Sequence, residues 1–421
     1  MIRALRPLAA RACLAAVLAA GATGCEIPAE AASSDARKTP AADARAVDPP
    51  LHVLAEELRG ALARLAAAEA PAPPPADPPS LTLIAGGDVS LGRFIGQILL
   101  RDPGRELFTT VAPLLKSADI RFCNLESQLS DQRGQTEHPQ NNLVFTGPPA
   151  GADALARAGF TVVSTANNHA WDYGKRALFE TMDNLDRVGV RYVGTGRDRR
   201  EAYRPVILEH NGVRLAMLAV TDIWNQGRLW DHPAKEFVAG ADFQALPIAI
   251  KALRADPSVD FIAVSYHGLA EYMDEPMQRT REILRNAIDA GADLVIGHHP
   301  HVVQGVEWRR GRPILYSLGN LLMRMNSRVP WTEMGYLARV RLTRGEAPSV
   351  EACPFRMHGI TPLRFVGEPA RAAFERRFFG HLTGISKTVG GTAVGPTGED
   401  GCAPLSPPPP KSLRAGRKSA G

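Results

Sequence analysis

The sequence predicts an α/β fold with a central sheet and a polar rim along one edge, and three observations carry the prediction. Short apolar runs recur through the middle of the chain, such as Leu83-Ile84-Ala85, Val162-Val163 and Phe261-Ile262-Ala263-Val264, and helical patterns separate them. Most of these runs end in polar residues of the kinds that bind metals or move protons, among them Asp88, Glu126, Asn168 and His267. Three of the chain's 11 histidines also fall within Gly297-His298-His299-Pro300-His301, directly after the run Leu294-Val295-Ile296. Open α/β sheets collect their ligands at the carboxyl ends of strands, where these residues would lie.

Taken in order, the chain opens with Arg3, Arg6 and Arg11 around an apolar stretch over residues 12–20. That stretch is too short to cross a bilayer and suits a signal-peptide core, giving a signal segment over residues 1–24. Gly21-Ala22-Thr23-Gly24-Cys25 resembles a bacterial lipobox, with Ala22 where leucine is usual. It predicts lipidation of Cys25 and an exported protein held to the cell envelope by a lipid anchor, in the periplasm; plain signal cleavage nearby is the alternative. Residues 25–80 are rich in Ala and Pro and read as a tether, with a short amphipathic helix over 51–68.

Folded order is expected over 81–365. A strand at 81–85 leads into Gly86-Gly87-Asp88-Val89-Ser90, followed by helical patterns at 94–100 and 111–117. A strand at 119–123 delivers Asn124-Leu125-Glu126. After a helix at 153–158, the β-branched run at 160–164 enters Asn167-Asn168-His169-Ala170-Trp171-Asp172. A helix at 177–188 precedes strands at 191–194, 206–209 and 214–220, the last two flanking the hairpin signal His210-Asn211-Gly212. The strand at 261–265 delivers Tyr266-His267, and a helix at 280–290 precedes the strand at 292–296 and the histidine cluster. A strand at 313–316 ends in Ser317-Leu318-Gly319-Asn320. A C-terminal helix is expected within 366–389, centred on 368–379, and a disordered tail over 390–421.

Composition excludes some functions. The net charge is +5 with a pI near 9.0, but much of the excess sits at the two ends, in Arg3, Arg6, Lys411, Arg414 and Lys418. No basic stripe interleaved with aromatics runs through the middle, which argues against nucleic acid. No Cys-x-x-Cys pair exists, so a thiolate zinc site is out. Cys123 lies in an apolar strand and reads as a buried thiol, while Cys353 and Cys402 could bridge the tail to the domain, a point that spacing leaves open.

The strand-end residues Asp88, Glu126, Asn168-His169, His267 and the cluster His298, His299 and His301 form a hard-to-borderline ligand set. Such a set suits Mn²⁺, Fe or Zn²⁺ better than Ca²⁺ or Cu(I). Taken singly, Asp88 also fits a helix N-cap, Glu126 a solvated loop acid, Asn168 a turn residue and His267 a core histidine. Together, at successive strand ends, they point to one or two divalent ions. His299 and His301 would share a face in an extended segment, which favours that pair over His298.

At this point the chain resembles a known family. Gly86-Gly87-Asp88-Val89, Asn124-Leu125-Glu126, Phe145-Thr146-Gly147-Pro148, Ala166-Asn167-Asn168-His169, His267 with Glu271-Tyr272, Gly297 to Gln304 and Tyr316-Ser317-Leu318-Gly319-Asn320 are similar to the CapA family. This is the capsule or poly-γ-glutamate synthesis protein family, a branch of the calcineurin-like metallophosphoesterases. The resemblance implies a four-layered α/β/β/α sandwich with a dimetal centre at the sheet edge. It implies Asp88, Glu126, Asn168, His267, His299 and His301 as metal ligands, Glu126 standing where a bridging aspartate is usual. It implies His169 at the phosphate or leaving group, with Asp172 orienting its ring. Two positions depart from the pattern: Asp88-Val89-Ser90 replaces Asp-x-His, and His267-Gly268-Leu269-Ala270-Glu271-Tyr272 replaces His-Trp-Gly-x-Glu-Tyr.

The function so implied is synthesis, export or processing of an anionic envelope polymer by metal-assisted hydrolysis, alongside membrane-bound synthase components. Two alternatives stand beside it. One is a non-catalytic, membrane-tethered component that handles the polymer; the other is a periplasmic phosphoesterase acting on small substrates.

Overall fold

The computed structural model describes residues 78–409, apart from 226–230, 269, 326–328, 366 and 368. The expected signal segment, Cys25, most of the tether and the end of the tail lie outside the described residues.

With strands numbered in chain order, the larger sheet runs β18 (Ala393–Val394), β19 (Ala403–Ser406), β16 (Ser349–His358), β15 (Met334–Thr343), β1 (Ser80–Val89), β2 (Ile120–Leu125), β6 (Val162–Ser164) and β7 (Arg191–Val193). β14 (Asn320–Leu322) pairs with β1, and β17 (Thr361–Leu363) with β16. The smaller sheet runs β12 (Val306–Arg309), β13 (Arg312–Leu315), β11 (Leu294–His298), β10 (Phe261–His267), β9 (Val213–Thr221) and β8 (Val206–His210). A small third sheet joins β3 (Gln128–Leu129), β5 (Asn141–Gly147) and β4 (Glu137–His138). β1, β2, β6 and β7 are parallel, as are β9, β10, β11 and β13.

The two-residue period of a strand sorts side chains between two faces, and the cores show where each face goes. From β1, Leu81, Leu83 and Ala85 enter one core with Leu215, Met217, Ala263 and Ile296 of the smaller sheet. Ile84 and Val89 turn the other way, into a core shared with Ile95 and Leu99 of α1 (Arg93–Arg101), Leu115 of α2 (Ala112–Lys116) and Leu155 of α3 (Ala150–Ala158). The far face of the smaller sheet, with Leu218, Ile262, Val264 and Val295, shares a third core with α6 (Ala245–Ala255) and α7 (Gln278–Ala290). These are helices, sheet, sheet and helices: the four-layered α/β/β/α sandwich. α4 (Gly174–Arg187) and α8 (Arg371–Ser386) add Leu178, Phe378 and Leu382 to the core between the sheets. The short α5 (Arg199–Ala202) starts at Asp198, whose side chain accepts a hydrogen bond from Glu201 N.

The structure departs from the sequence reading at the C-terminal end. The tail is not disordered from residue 390: β18 and β19 add to the larger sheet as far as Ser406. The C-terminal helix spans Arg371–Ser386, inside the expected 366–389 though running past the centre at 368–379. Composition hid the tail strands because two short, proline-flanked segments carry no alternation of their own. What orders them is the free edge of β16 and a disulfide between Cys353 on β16 and Cys402 just before β19. Cys123 is a buried free thiol, and burial pushes its pKa well up. The sequence reading also missed α6, whose apolar character is spread around the helix, and the long hairpin of β15 and β16.

The Cys353–Cys402 bridge closes a loop of 49 residues. Replacing both cysteines by serine should lower unfolding stability by up to about 4 kcal/mol if the loop-closure entropy is fully expressed. Chemical denaturation of the double variant beside the parent checks this, and an unchanged midpoint would count against the staple.

Candidate metal centre

The carboxyl ends of β1, β2 and β6 in one sheet and of β10 and β11 in the other come together at one edge of the sandwich. Asp88 is the last residue but one of β1, Glu126 follows β2, Asn168 and His169 follow β6, His267 ends β10, and His299 and His301 follow β11. All seven are buried.

Close approach of backbones sets this edge. A Cβ on Gly87 would stand 1.7 Å from the carbonyl oxygen of Gly319, so only glycine lets the turn into β14 lie against β1. In return Asp88 N donates to Gly319 O at 3.1 Å, and Asp88 falls in register with Asn320. Gly297 plays the same part for β11, where a Cβ would meet the Tyr316 carbonyl oxygen at 2.0 Å.

The histidine loop is not extended, as the sequence reading supposed. His299 and His301 have φ of 101° and 58°, both in the left-handed region. Such backbone costs on the order of 1–3 kcal/mol per residue and persists only where neighbours hold it. Here His299 N donates to Asp88 Oδ2 at 3.1 Å, and Tyr272 N donates to Pro300 O at 2.8 Å. The turn replaces the alternation of a strand and brings both rings to one point.

Two clusters result. Glu126, His299 and His301 offer ligand atoms within 4.8 Å of one another, and so do Asp88, Glu126 and His267. Glu126 belongs to both. Neither of its buried carboxylate oxygens has a hydrogen-bond partner among the described residues. Its Oε1 lies 3.8 Å from His301 Nε2 and 3.9 Å from Nε2 of both His267 and His169. Those distances are too long for hydrogen bonds, and ligands about 2.0–2.2 Å from a shared cation stand at roughly this separation. The donor set therefore fits a divalent ion.

The electrostatics agree. Burial pushes the Glu126 pKa well up, and the charge of Asp88 adds to it. Burial also opposes ionisation of Asp88, but the His298 ring and the other nearby imidazoles outweigh it and hold this carboxyl below the usual range. Burial, with the other imidazoles, drives the His267 pKa well down and that of His299 to about 3. Both rings are then neutral at ordinary pH, the state that ligates metals.

The remaining predicted residues fall around these clusters. Asn168 Oδ1 is 2.8 Å from His267 Nε2. His169 Nδ1 is 2.8 Å from Asp172 Oδ2, which also accepts from Phe145 N at 2.9 Å. The Phe145 ring lies 4.2 Å from the His169 ring, so one face and one edge of the imidazole are both fixed. His298 belongs to neither trio, but its buried ring lies against Asp88, with Nδ1 3.3 Å from Asp88 Oδ1 and no hydrogen-bond partner for either ring nitrogen among the described residues.

Three carboxamides went unassigned in the sequence reading. Asn124 Nδ2 donates to Asp88 Oδ1 at 2.9 Å and lies 3.1 Å from His267 Nδ1. Asn167 Nδ2 donates to Asn124 Oδ1 and to Leu125 O. Asn320 Oδ1 is 2.9 Å from His301 Nδ1, and its amide donates to His301 O and Thr332 O. With Nδ1 donating to Asn320, the His301 Nε2 lone pair faces Glu126. The signal was present in Asn124-Leu125-Glu126 and Gly319-Asn320, where strand-end carboxamides sit beside the ligands in sequence.

Replacing Asn320 by Ala should lower divalent-metal affinity roughly 10–100-fold while the fold survives, because it frees the His301 ring. Metal titration beside circular dichroism checks this. Gly87→Ala should cost more, displacing Asn320 and Asp88 together, and is read as loss of soluble folded protein.

Residues 82–325 match the family described as Bacterial capsule synthesis protein PGA_cap. The chain is 30% identical over 284 residues to the PGA biosynthesis protein CapA of Bacillus subtilis, covering 66% of this chain and 71% of that protein. It is 31% identical over 248 residues to the capsule biosynthesis protein CapA of Bacillus anthracis, covering 58% of this chain and 59% of that protein. Among solved structures, the sulfate thiohydrolase SoxB of Thermus thermophilus aligns with a TM-score of 0.39 at 14% identity, over 75% of this chain and 62% of that one. By its sequence match over 82–325, this chain belongs to the bacterial capsule synthesis protein family PGA_cap.

Proposed function

We propose that this protein acts in the synthesis, export or processing of an anionic capsule or poly-γ-glutamate-type polymer, by metal-assisted hydrolysis at the centre described above. The observation that carries the hydrolytic reading is Glu126: a buried carboxylate with no hydrogen-bond partner, encircled by imidazole nitrogens. An uncompensated buried charge is costly, and a cation supplies the compensation. The names of the Bacillus relatives support the polymer.

When bound, one or two divalent ions (Mn, Fe or Zn) would supply Lewis-acid activation and neutralise charge at the reacting centre. Asp88, Glu126, Asn168, His267, His299 and His301 would hold them. His169 would handle the proton. With Nδ1 hydrogen bonded to Asp172, its Nε2 faces the Glu126 side of the site, where it can donate to a developing or departing oxyanion. Asp172 fixes the ring and stabilises the imidazolium. The substrate is the anionic polymer or a phosphoester on the route to it, and membrane-bound synthase components are the expected partners.

We place the protein in the cell envelope, exported and lipid-anchored through Cys25. The Cys353–Cys402 disulfide supports an oxidising compartment. A second reading, polymer handling without turnover, draws support from Ser90, which leaves the cluster of Asp88, Glu126 and His267 with a single imidazole.

Elemental mass spectrometry of the purified protein, beside His301→Ala and Asp88→Ala, is the test. Near-stoichiometric Mn, Fe or Zn, lost in both variants, is the expected result. Absence of metal after reconstitution sinks the hydrolytic reading. Metal without turnover of phosphoester or γ-glutamyl substrates leaves polymer handling as the function.

A further inference from the structure

Beside the metal centre lies a cavity of about 210 Å³, lined in part by Ser90, the first turn of α1 from Arg93, and Arg324 just beyond β14. We propose that this cavity is an oxyanion subsite, read by Ser90, Arg93 and Arg324, that takes a carboxylate or phosphoryl group of the substrate next to the reacting centre. The inference rests on the proposed function only for calling that ligand a substrate.

Ser90 stands two residues beyond Asp88 and is only 4% exposed, yet its hydroxyl makes no hydrogen bond among the described residues. That hydroxyl is not sealed off from the cavity, so it is free to donate to a ligand there. The volume greatly exceeds one water's share of liquid, roughly 30 Å³, and accommodates a carboxylate or phosphoryl group.

Arg93 is held in an unusual posture. Its φ is 50°, in the left-handed region, and its backbone is clamped by Arg93 N donating to Thr136 O and Thr136 Oγ1 donating to Arg93 O. The guanidinium lies 4.0 Å over the Phe145 ring, whose own neighbour is His169. Nε and Nη2 both donate to Asn142 O, while Nη1 makes no hydrogen bond among the described residues. Arg324 is exposed and lies 4.5 Å over the Phe94 ring, and its guanidinium makes no hydrogen bond or ion pair among the described residues. Against these two cations the cavity holds one carboxylate, Glu137, at 3.8 Å from Arg93 Nε. Planar guanidiniums already stacked on aromatic rings lose little freedom when they bind an oxyanion. Gly92 gives α1 no side-chain cap, so the positive end of the helix adds to the same field.

The experiment is calorimetric titration of the full chain with two probes, inorganic phosphate and glutarate, on the parent, Arg93→Gln and Arg324→Gln. Arg200→Gln, an exposed charge on α5, controls for net charge. Saturable binding of at least one probe is expected, weakened about ten-fold or more by either cavity substitution and unchanged in the control. The preferred probe then tells carboxylate from phosphoryl. No saturable binding, or equal binding in all variants, overturns the proposal. Arg324 is at the surface, so its variant keeps the test sound even where Arg93→Gln fails to fold. Metal content measured on the same samples separates the two readings. Arginine-dependent binding without metal leaves the subsite standing and removes the hydrolytic reading, whereas normal metal with arginine-independent binding removes the subsite alone.

Discussion

The rest of this site depends on one buried carboxylate. Glu126 carries a carboxyl group into a place where, among the described residues, no backbone amide, hydroxyl or guanidinium meets its oxygens. Left alone it would have to take a proton, and burial does push its pKa that way. The neighbours are not built to accept that outcome. They are imidazoles and carboxamides whose lone pairs gather at ion-coordination distances, a set that gives a proton little and a divalent cation a great deal. The strained histidine loop, the close backbone contact at Gly87 and the carboxamide frame all follow as means of keeping that set in place.

Much of the architecture is legible in the sequence, because a parallel sheet advertises itself. Runs such as Phe261-Ile262-Ala263-Val264 are apolar on both faces, since each strand has a core on either side. Their carboxyl ends are where polarity returns, so Asp88, Glu126, Asn168 and His267 stand out one after another. The C-terminal part of the sheet is less legible for a reason of energetics. β18 and β19 are ordered by a partner strand and a covalent staple, neither of which is a local property.

Within the site, residue types were easier to read than geometry. His299 and His301 converge because the backbone leaves the strand conformation, the reverse of the extended face that their spacing suggests. Asn124 and Asn320 hydrogen bond to candidate ligands and Asn167 braces Asn124, so nothing about each residue alone distinguishes it from a turn asparagine. Only the register of β1 against β14, fixed by Gly87, shows that Asn320 stands beside Asp88 and holds the His301 ring.

The two sheets share an apolar core, but they meet at their polar edge through the candidate ligand groups. Asp88, Glu126 and Asn168 come from the larger sheet; His267, His299 and His301 come from the smaller one. A cation held among them is therefore a rivet between the two halves of the sandwich, joining parts of the chain far apart in sequence. Its free energy of binding becomes folding free energy, on the order of 2.7 kcal/mol when the free ion exceeds its dissociation constant a hundredfold. Where metal supply fluctuates, the cohesion of the whole domain would then rise and fall with the ion that its edge collects.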